Sequence, residues 1–368
     1  MKNLVLIFLI GFSFSAIAQI SRGGGSKENT SNQEQNQQEL PDKPNNDQLY
    51  PSRKKVADCN KDLELEQANN LIYHKKTRKP FTGTCVSYFD NQKMERTVSF
   101  VMGKENGTSY AYYPNGQVMV MTIWVAGTEN GTWGYWYENG QIAWGNTYDM
   151  GDKVGEWSYF SEDGKPTKKL NYKKNLLHGE SKYYHENGKV KKIIDYNYGQ
   201  MDGRYHTFYE DSSVKFQKTF KNGNRDGEEV YYFNNGQLSY RLEWDNGEET
   251  GNWEYFYGNG QLEHSGSWKD GKQDGLWEYF LEDGKSVASV LFSKGREWKV
   301  VEFDRFGQPK NQEEFEELNK MVANKEELEA QESKRGQRKS KRKARKAKKK
   351  KAKQAAKELK EKQKALEE

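Results

Sequence analysis

The sequence predicts an all-β fold: an elongated single sheet of stacked β-hairpins, one hairpin every 24 residues. Three observations predict it. First, glycine recurs at a fixed offset, at Gly83, Gly107, Gly131, Gly155, Gly179, Gly203, Gly227, Gly251 and Gly275. A second glycine series, from Gly116 to Gly284, shares the period and lapses only at Gln92 and Ser212. Second, two columns are aromatic in every unit. One runs Tyr88, Tyr112, Trp136, Phe160, Tyr184, Phe208, Tyr232, Phe256, Phe280; the other runs Phe100, Trp124, Tyr148, Tyr172, Tyr196, Phe220, Trp244, Trp268, Phe292. Columns locked in this way define a repeat protein. Third, the chain is very polar, with a mean hydropathy of −1.14 and 33% apolar residues, yet 14% aromatic. That composition cannot fill a compact aliphatic core. It suits a thin structure covered by wide, flat side chains.

Each unit reads in order as strand, turn, strand, turn. In Gly131 to Val154 the run after Gly131 is rich in Trp and Tyr, which favour strands. Asn139-Gly140 is a hairpin signal, because both residues tolerate positive φ. Gln141 to Tyr148 then runs back, and Gly151 and Gly155 are read as bracketing a second polar turn. A lone hairpin is marginally stable in water. Nine in series gain ladder hydrogen bonds and ring contacts from their neighbours, in a twisted ribbon roughly 85 Å long.

These residues resemble the MORN-type repeats, and more closely the bacterial MORN-variant repeat of proteins often described as antitoxin-like. The matching signature is G-x-W-x-Y-[FY], then [DN]-G-[QK]-[VIL], then an aromatic and x-x-G-x-x-[DN]-G. It stands here as GNWEYFYGNGQLEHSGSWKDGKQDG, Gly251 to Gly275. The segment Lys79 to Met94 looks like the usual opening of such arrays, and the resemblance covers about residues 70–308. The pattern departs at Ser181, at Glu210-Asp211-Ser212 and near Gly307, where the frame slips by one residue. The resemblance is specific for the repeat and only weakly specific for function.

The flanks differ. Residues 1–18 have the charged start, apolar run and Ala16-Ile17-Ala18 end of a secretory signal, which predicts export. No other stretch approaches a transmembrane length after signal cleavage. Residues 19–69 are expected to be a disordered linker, with 70–308 the array and 309–332 an acidic helical cap. In that cap Phe315, Leu318, Met321, Val322 and Leu328 fall at helical spacing. Residues 333–368 form a basic tail. Fifteen Lys or Arg lie between Ser333 and Lys357, so the rest of the chain sums to −10 against a whole-chain charge of +5. The densest part is Lys339, Lys341, Arg342, Lys343, Arg345, Lys346, Lys348, Lys349, Lys350 and Lys351. Helix forms there only in part, since like charges at i,i+4 oppose it.

Candidate chemistry is sparse. His74, His178, His185, His206 and His264 fall in unrelated places and carry no metal spacing. No nucleophile triad or phosphate loop stands out, and no cofactor is expected. Asn222 to Gly227 faintly resembles a calcium loop, but Phe233 stands where its bidentate Glu belongs, so it reads as a turn. Cys59 and Cys85 are open to two readings, one disulfide or two free thiols. The position two after the first glycine varies, with Trp133, Trp157, Tyr205, Trp253 and Trp277 in five units. A variable column of large aromatics is a candidate binding surface, though the same rings could serve as sheet cover.

The sequence therefore points to a non-enzymatic exported scaffold. Its sheet is expected to bind a protein or cell-envelope partner, and its tail an anionic surface or polymer. Nucleic acid is disfavoured, since residues 333–368 hold no aromatic to stack on bases. An antitoxin-like or immunity role is the alternative that the resemblance implies. A cell-wall hydrolase is a third class, and a flat ribbon offers it no cleft for a carboxylate pair.

Overall fold

The computed structural model describes residues 56–325, together with 327, 334, 338–339 and 341–348 of the 368-residue chain. The expected signal segment and the part of the linker before Val56 lie outside the described residues.

From Gly83 to Glu302 the chain forms one antiparallel meander in one long sheet. Gly83–Tyr88 pairs with Met94–Val101, that strand with Gly107–Tyr112, and so on in chain order to Arg296–Glu302. The sheet has 25 strands. Five are two-residue segments such as Lys104–Glu105, each separated by one residue from the strand it leads into.

Two kinds of turn alternate along the two edges. At the first kind Tyr137 N donates to Gln141 O and Gly140 N donates to Tyr137 O, each at 2.8 Å. Only Gly140 is left-handed there, at φ 87°; Asn139 stays at negative φ. The positive-φ pairs that Asn-Gly suggests sit instead in the second kind, a two-residue turn such as Met150 (φ 46°) and Gly151 (φ 90°). Gln92 (φ 62°) and Ser212 (φ 81°) adopt the left-handed conformation where the second glycine series lapses, so those turns survive without glycine.

Asn139 has a different task. Its Oδ1 accepts from Gln141 N at 2.9 Å, and its Nδ2 donates to Glu162 O in the next unit at 2.8 Å. The same tie joins Asn115 to Glu138, Asn187 to Glu210, Asn235 to Gly258 and Asn259 to Glu282. Beside it, Tyr113, Tyr137, Tyr209 and Tyr257 each donate a hydroxyl to the carbonyl 23 residues on. Asp163, Asp211 and Asp283 hold the asparagine place in other units. A carboxylate has no N–H to give, and these three bind Lys165, Ser213 and Lys285 of their own turns.

Gly155 does not bracket a turn, as the sequence suggested. It lies within the strand Asp152–Phe160 at φ 66°. Thr147 pairs with Val154 and Gly145 with Ser158, so residues 155–157 oppose Asn146 alone. This wide bulge needs glycine for its backbone and for space: a Cβ on Gly203 would stand 3.0 Å from the Asp195 Cβ. The last strand explains the frame slip near Gly307. Lys299 stands where the glycine would be, Leu291 pairs with Lys299 and Phe292 with Glu297. Only Trp298 is extra, the bulge is one residue shorter, and the following turn arrives one residue early.

Both ends of the array are capped. Val56–Asp58 runs parallel to Gly83–Tyr88, and Leu63–Glu66, Leu71–His74 and Lys79–Pro80 form a small second sheet. The disulfide Cys59–Cys85, 2.10 Å between sulfurs, ties this cap to the first strand of the array. Ala57, Leu63 and Phe81 bury Cys85 and Phe100. Residues 56–69 are thus structured and not part of a disordered linker. Their apolar runs are only three or four residues long and gain burial only from the array, so composition alone could not reveal them. At the other end a helix over 312–325 starts at Asn311, whose Oδ1 accepts from Glu313 N and Glu314 N. Leu318, 1% exposed, packs on Leu291 and Val301 beside Phe315, Met321 and Val322. Lys325 pairs with Asp274 at 2.7 Å. Leu328 lies outside the described residues.

Two outcomes are expected. Asn139→Asp removes one inter-unit donor and should lower stability by about 1 kcal/mol, read as a shift in the denaturant midpoint. Leu318→Ala should cost about 2–5 kcal/mol locally. Because an array couples mainly nearest neighbours, hydrogen exchange should rise in 276–325 while 131–160 keeps its protection.

Candidate functional site: an aromatic sheet face

Alternation along the strands gives the sheet two unlike faces. The aromatic face carries the column from Phe100 to Phe292, interleaved with the residues two after each first-series glycine. Rings of the two sets pack in series: Trp124 to Trp133 at 5.0 Å, Trp133 to Tyr148 at 4.9 Å, Tyr148 to Trp157 at 5.3 Å, Trp157 to Tyr172 at 5.0 Å. The series resumes as Trp244, Trp253, Trp268, Trp277 and Phe292. Trp133, Trp157, Trp253 and Trp277 each donate the indole N–H to the carbonyl ten residues earlier, at 3.0–3.3 Å. Trp157 and Trp277 are buried, at 5% and 4% exposure, while Trp133, Tyr205 and Trp253 are half-buried. Sheet cover therefore uses their polar edges and most of their ring faces. At Glu229 a carboxylate takes the column's place. It is buried, 3.6 Å from Arg225 and 3.4 Å from the Tyr240 hydroxyl that donates to it.

A second row runs beside the first and was not singled out from the sequence. It comprises the residues four after each first-series glycine and their cross-strand partners. Tyr135 stacks on Trp144 at 5.8 Å and 11°, and Tyr231 on Tyr240 at 5.5 Å and 13°. Tyr255 and Tyr279 enclose His264 at 4.3 and 5.6 Å. In the middle units lysines replace the partner ring: Lys168 lies 4.2 Å from the Tyr159 centroid and Lys192 4.3 Å from that of Tyr183. Burial pushes the Tyr159 and Tyr240 hydroxyls up to about 12. A period of 24 starting at Tyr135 was the available signal. Between Lys192 and Tyr240 the face holds a concavity of about 700 Å³, lined by Tyr205, Thr207, Phe216, Lys218 and Tyr231 among others.

The other face carries the column from Tyr112 to Phe280, with Tyr112 and Trp136 buried beside Val118, and in the central units the charged residues between those rings form ion pairs. Lys169 meets Glu156 at 3.0 Å, Lys182 meets Glu180 at 2.5 Å, and Arg204 binds Asp195 at 2.7 Å and Glu180 at 2.9 Å. Arg241 joins Glu228 and Glu254. The N-terminal cap lies on the aromatic face, against Cys85; the C-terminal helix lies on the opposite one, against Leu276 and Leu291.

The histidines are spread apart. His185 Nε2 donates to Phe208 O at 3.0 Å, taking the tyrosine's place in the turn ladder. Among the described residues no group of three His, Cys, Asp or Glu could hold a metal ion. Asn222 and Gly223 form a two-residue turn, and Asn224 donates to Asn246. In the tail, residues 338–339 and 341–348 are helical and exposed, including Lys339, Lys341, Arg342, Lys343, Arg345, Lys346 and Lys348. Lys349, Lys350 and Lys351 lie outside the described residues.

Burial holds the His178, His206 and His264 imidazoles below their ordinary value. The unfolded chain then binds more protons than the folded one as pH falls through about 6.5. Thermal stability should decline between about pH 7 and 5. His264→Phe, which keeps a flat ring in the stack, should flatten part of that decline in a pH series of melting curves.

No curated protein matches the sequence. A solved structure entitled "Crystal Structure of TcdB2-TccC3-Cdc42" aligns with 59% of this chain at 10% identity and a TM-score of 0.13. The chain spans only 16% of that structure's length, and so distant a likeness carries no argument. Five segments of the array, residues 105–124, 153–174, 177–198, 225–246 and 249–270, match the family of the MORN repeat variant.

Proposed function

We propose that this protein is a non-enzymatic, exported repeat scaffold. Its aromatic face binds a protein or cell-envelope component, and its basic tail adds attachment to an anionic surface. One observation carries the reading: apart from Glu229–Arg225, the central ion pairs described lie on one face, while two rows of rings pack across the other. That division sets a face rich in paired charges against one whose aromatic composition resembles a recognition surface. The MORN-variant match supports a repeat binding module, and families of this kind are generally non-catalytic. The tail holds fifteen Lys or Arg between Ser333 and Lys357, a density that favours general polyanion contact. The leader-like residues 1–18 support export.

The tail assignment has a direct test. Mature protein and a version ending before Ser333 are sedimented with envelope fractions as the Debye length is lowered from about 10 Å to about 3 Å. Association of the full chain should fall with salt, and the truncated chain should show a weaker, salt-insensitive remainder due to the sheet. Association that ignores both truncation and salt would remove the tail from the proposal. A captured partner whose toxic activity the array blocks would instead give the scaffold the immunity role that the resemblance implies.

A further inference from the structure

Between Tyr135 and Tyr279 the second row holds a tyrosine in every unit but one. The column runs Tyr135, Tyr159, Tyr183, Thr207, Tyr231, Tyr255, Tyr279. The concavity of about 700 Å³ opens at this missing ring. Tyr205, Phe216, Tyr231 and Tyr240 surround it. Phe216 lies edge-on to Tyr205 at 76° and tilted 54° from Tyr231, unlike the near-parallel stacks further along. With no tyrosine at 207 to stack on it, Phe216 has Lys218 over its ring instead, and Lys218 also lies over Tyr205.

The cations of the two faces differ as well. On the opposite face Lys169, Lys182, Arg204 and Arg241 all meet carboxylates. On the aromatic face Lys168, Lys192 and Lys218 meet no carboxylate in an ion pair among the described residues and lie over rings. Lys218 is 4.9 Å from the Tyr205 centroid and 5.1 Å from those of Phe216 and Phe220. Glu229, on the same face, is buried and engaged by Arg225 and Tyr240, and Glu210 stands exposed at the rim. Four ammonium groups, Lys191, Lys192, Lys215 and Lys218, thus border an aromatic hollow that Glu210 also lines.

We propose that the Thr207 gap is a binding site for an acidic polysaccharide whose disaccharide repeat carries one carboxylate; this rests on the scaffold reading and names a ligand for its aromatic face. Pyranose rings present flat C–H faces suited to an aromatic lining, as apolar lining with a few polar groups is usual in ligand sites. Lys192 and Lys218 supply charge-assisted hydrogen bonds to carboxylate oxygens. Spacing selects a glycan over a peptide. Lys168 lies outside the hollow, in the place equal to Lys192 one unit earlier, two strands or about 9.6 Å away, comparable to a disaccharide, so a chain leaving the hollow past Lys192 meets Lys168 at its next carboxylate. An extended peptide sets same-face side chains about 6.7 Å apart and falls out of step.

The test is calorimetric titration of the full chain with a hyaluronan hexasaccharide, against neutral chitohexaose, poly-glutamate and anionic phosphatidylglycerol vesicles. Thr207→Tyr restores the residue that the other units carry, so the sheet should keep its circular dichroism and melting temperature. It should weaken hyaluronan binding by about tenfold or more. Lys192→Gln with Lys218→Gln should weaken it and reduce its salt dependence. Binding that Thr207→Tyr leaves unchanged overturns the site. Equal affinity for poly-glutamate or for vesicles overturns the glycan assignment. If no saccharide binds while envelope association persists, the site fails and the scaffold reading stands. If saccharide binds but envelope association is absent, the reverse holds.

Discussion

Every hairpin in this chain leaves a row of backbone N–H and C=O groups that only the next hairpin can satisfy. Unpaired strand edges are costly when buried and prone to mispairing when exposed. The repeat answers this by offering an identical edge every 24 residues. The correct partner is also marked by the asparagine and tyrosine ties between consecutive turns. Register follows from the bulges. Each unit spends extra residues at a left-handed glycine, and losing that glycine at Lys299 shortens the frame by one. Length, register and turn position are therefore one constraint.

A single sheet has no interior, so its cover must come from side chains lying across it. Tryptophan and tyrosine do this because one ring spans two strands and still offers an N–H or O–H to a nearby carbonyl. Trp157 and Trp277 show the arrangement, buried yet with their indole N–H groups paired. The other face adds crossed ion pairs between its rings, which remain part-exposed and contribute modestly. The two caps then close opposite faces at opposite ends, by a disulfide-linked small sheet and by the Leu318 helix.

In a regular array, departures from the pattern are the informative positions. Ser212 and Gln92 take on backbone strain where glycine is missing. Glu229 places a buried carboxylate among rings, held by Arg225 and Tyr240. Thr207 opens a hollow in a row of tyrosines. The last two are on the aromatic face in neighbouring units, which concentrates individuality in the middle of an otherwise uniform surface.

Much of this was legible in the residues before any coordinates. Period, strand identity, aromatic columns and the helical spacing of Phe315 to Val322 follow from local propensity and repetition. The turn types did not follow, because Asn-Gly satisfies two geometries and only cross-strand pairing chooses between them. Nor did the cap at 56–74, whose short strands gain their burial from Cys85 and Phe100 of the array. The aromatic column at Trp133, Trp157 and Trp277 could be read as surface or as cover, and packing by the next strand's rings made it chiefly cover. What chain chemistry determined was the unit; what tertiary structure decided was which face each unit turns to water, because that depends on neighbours 24 residues away.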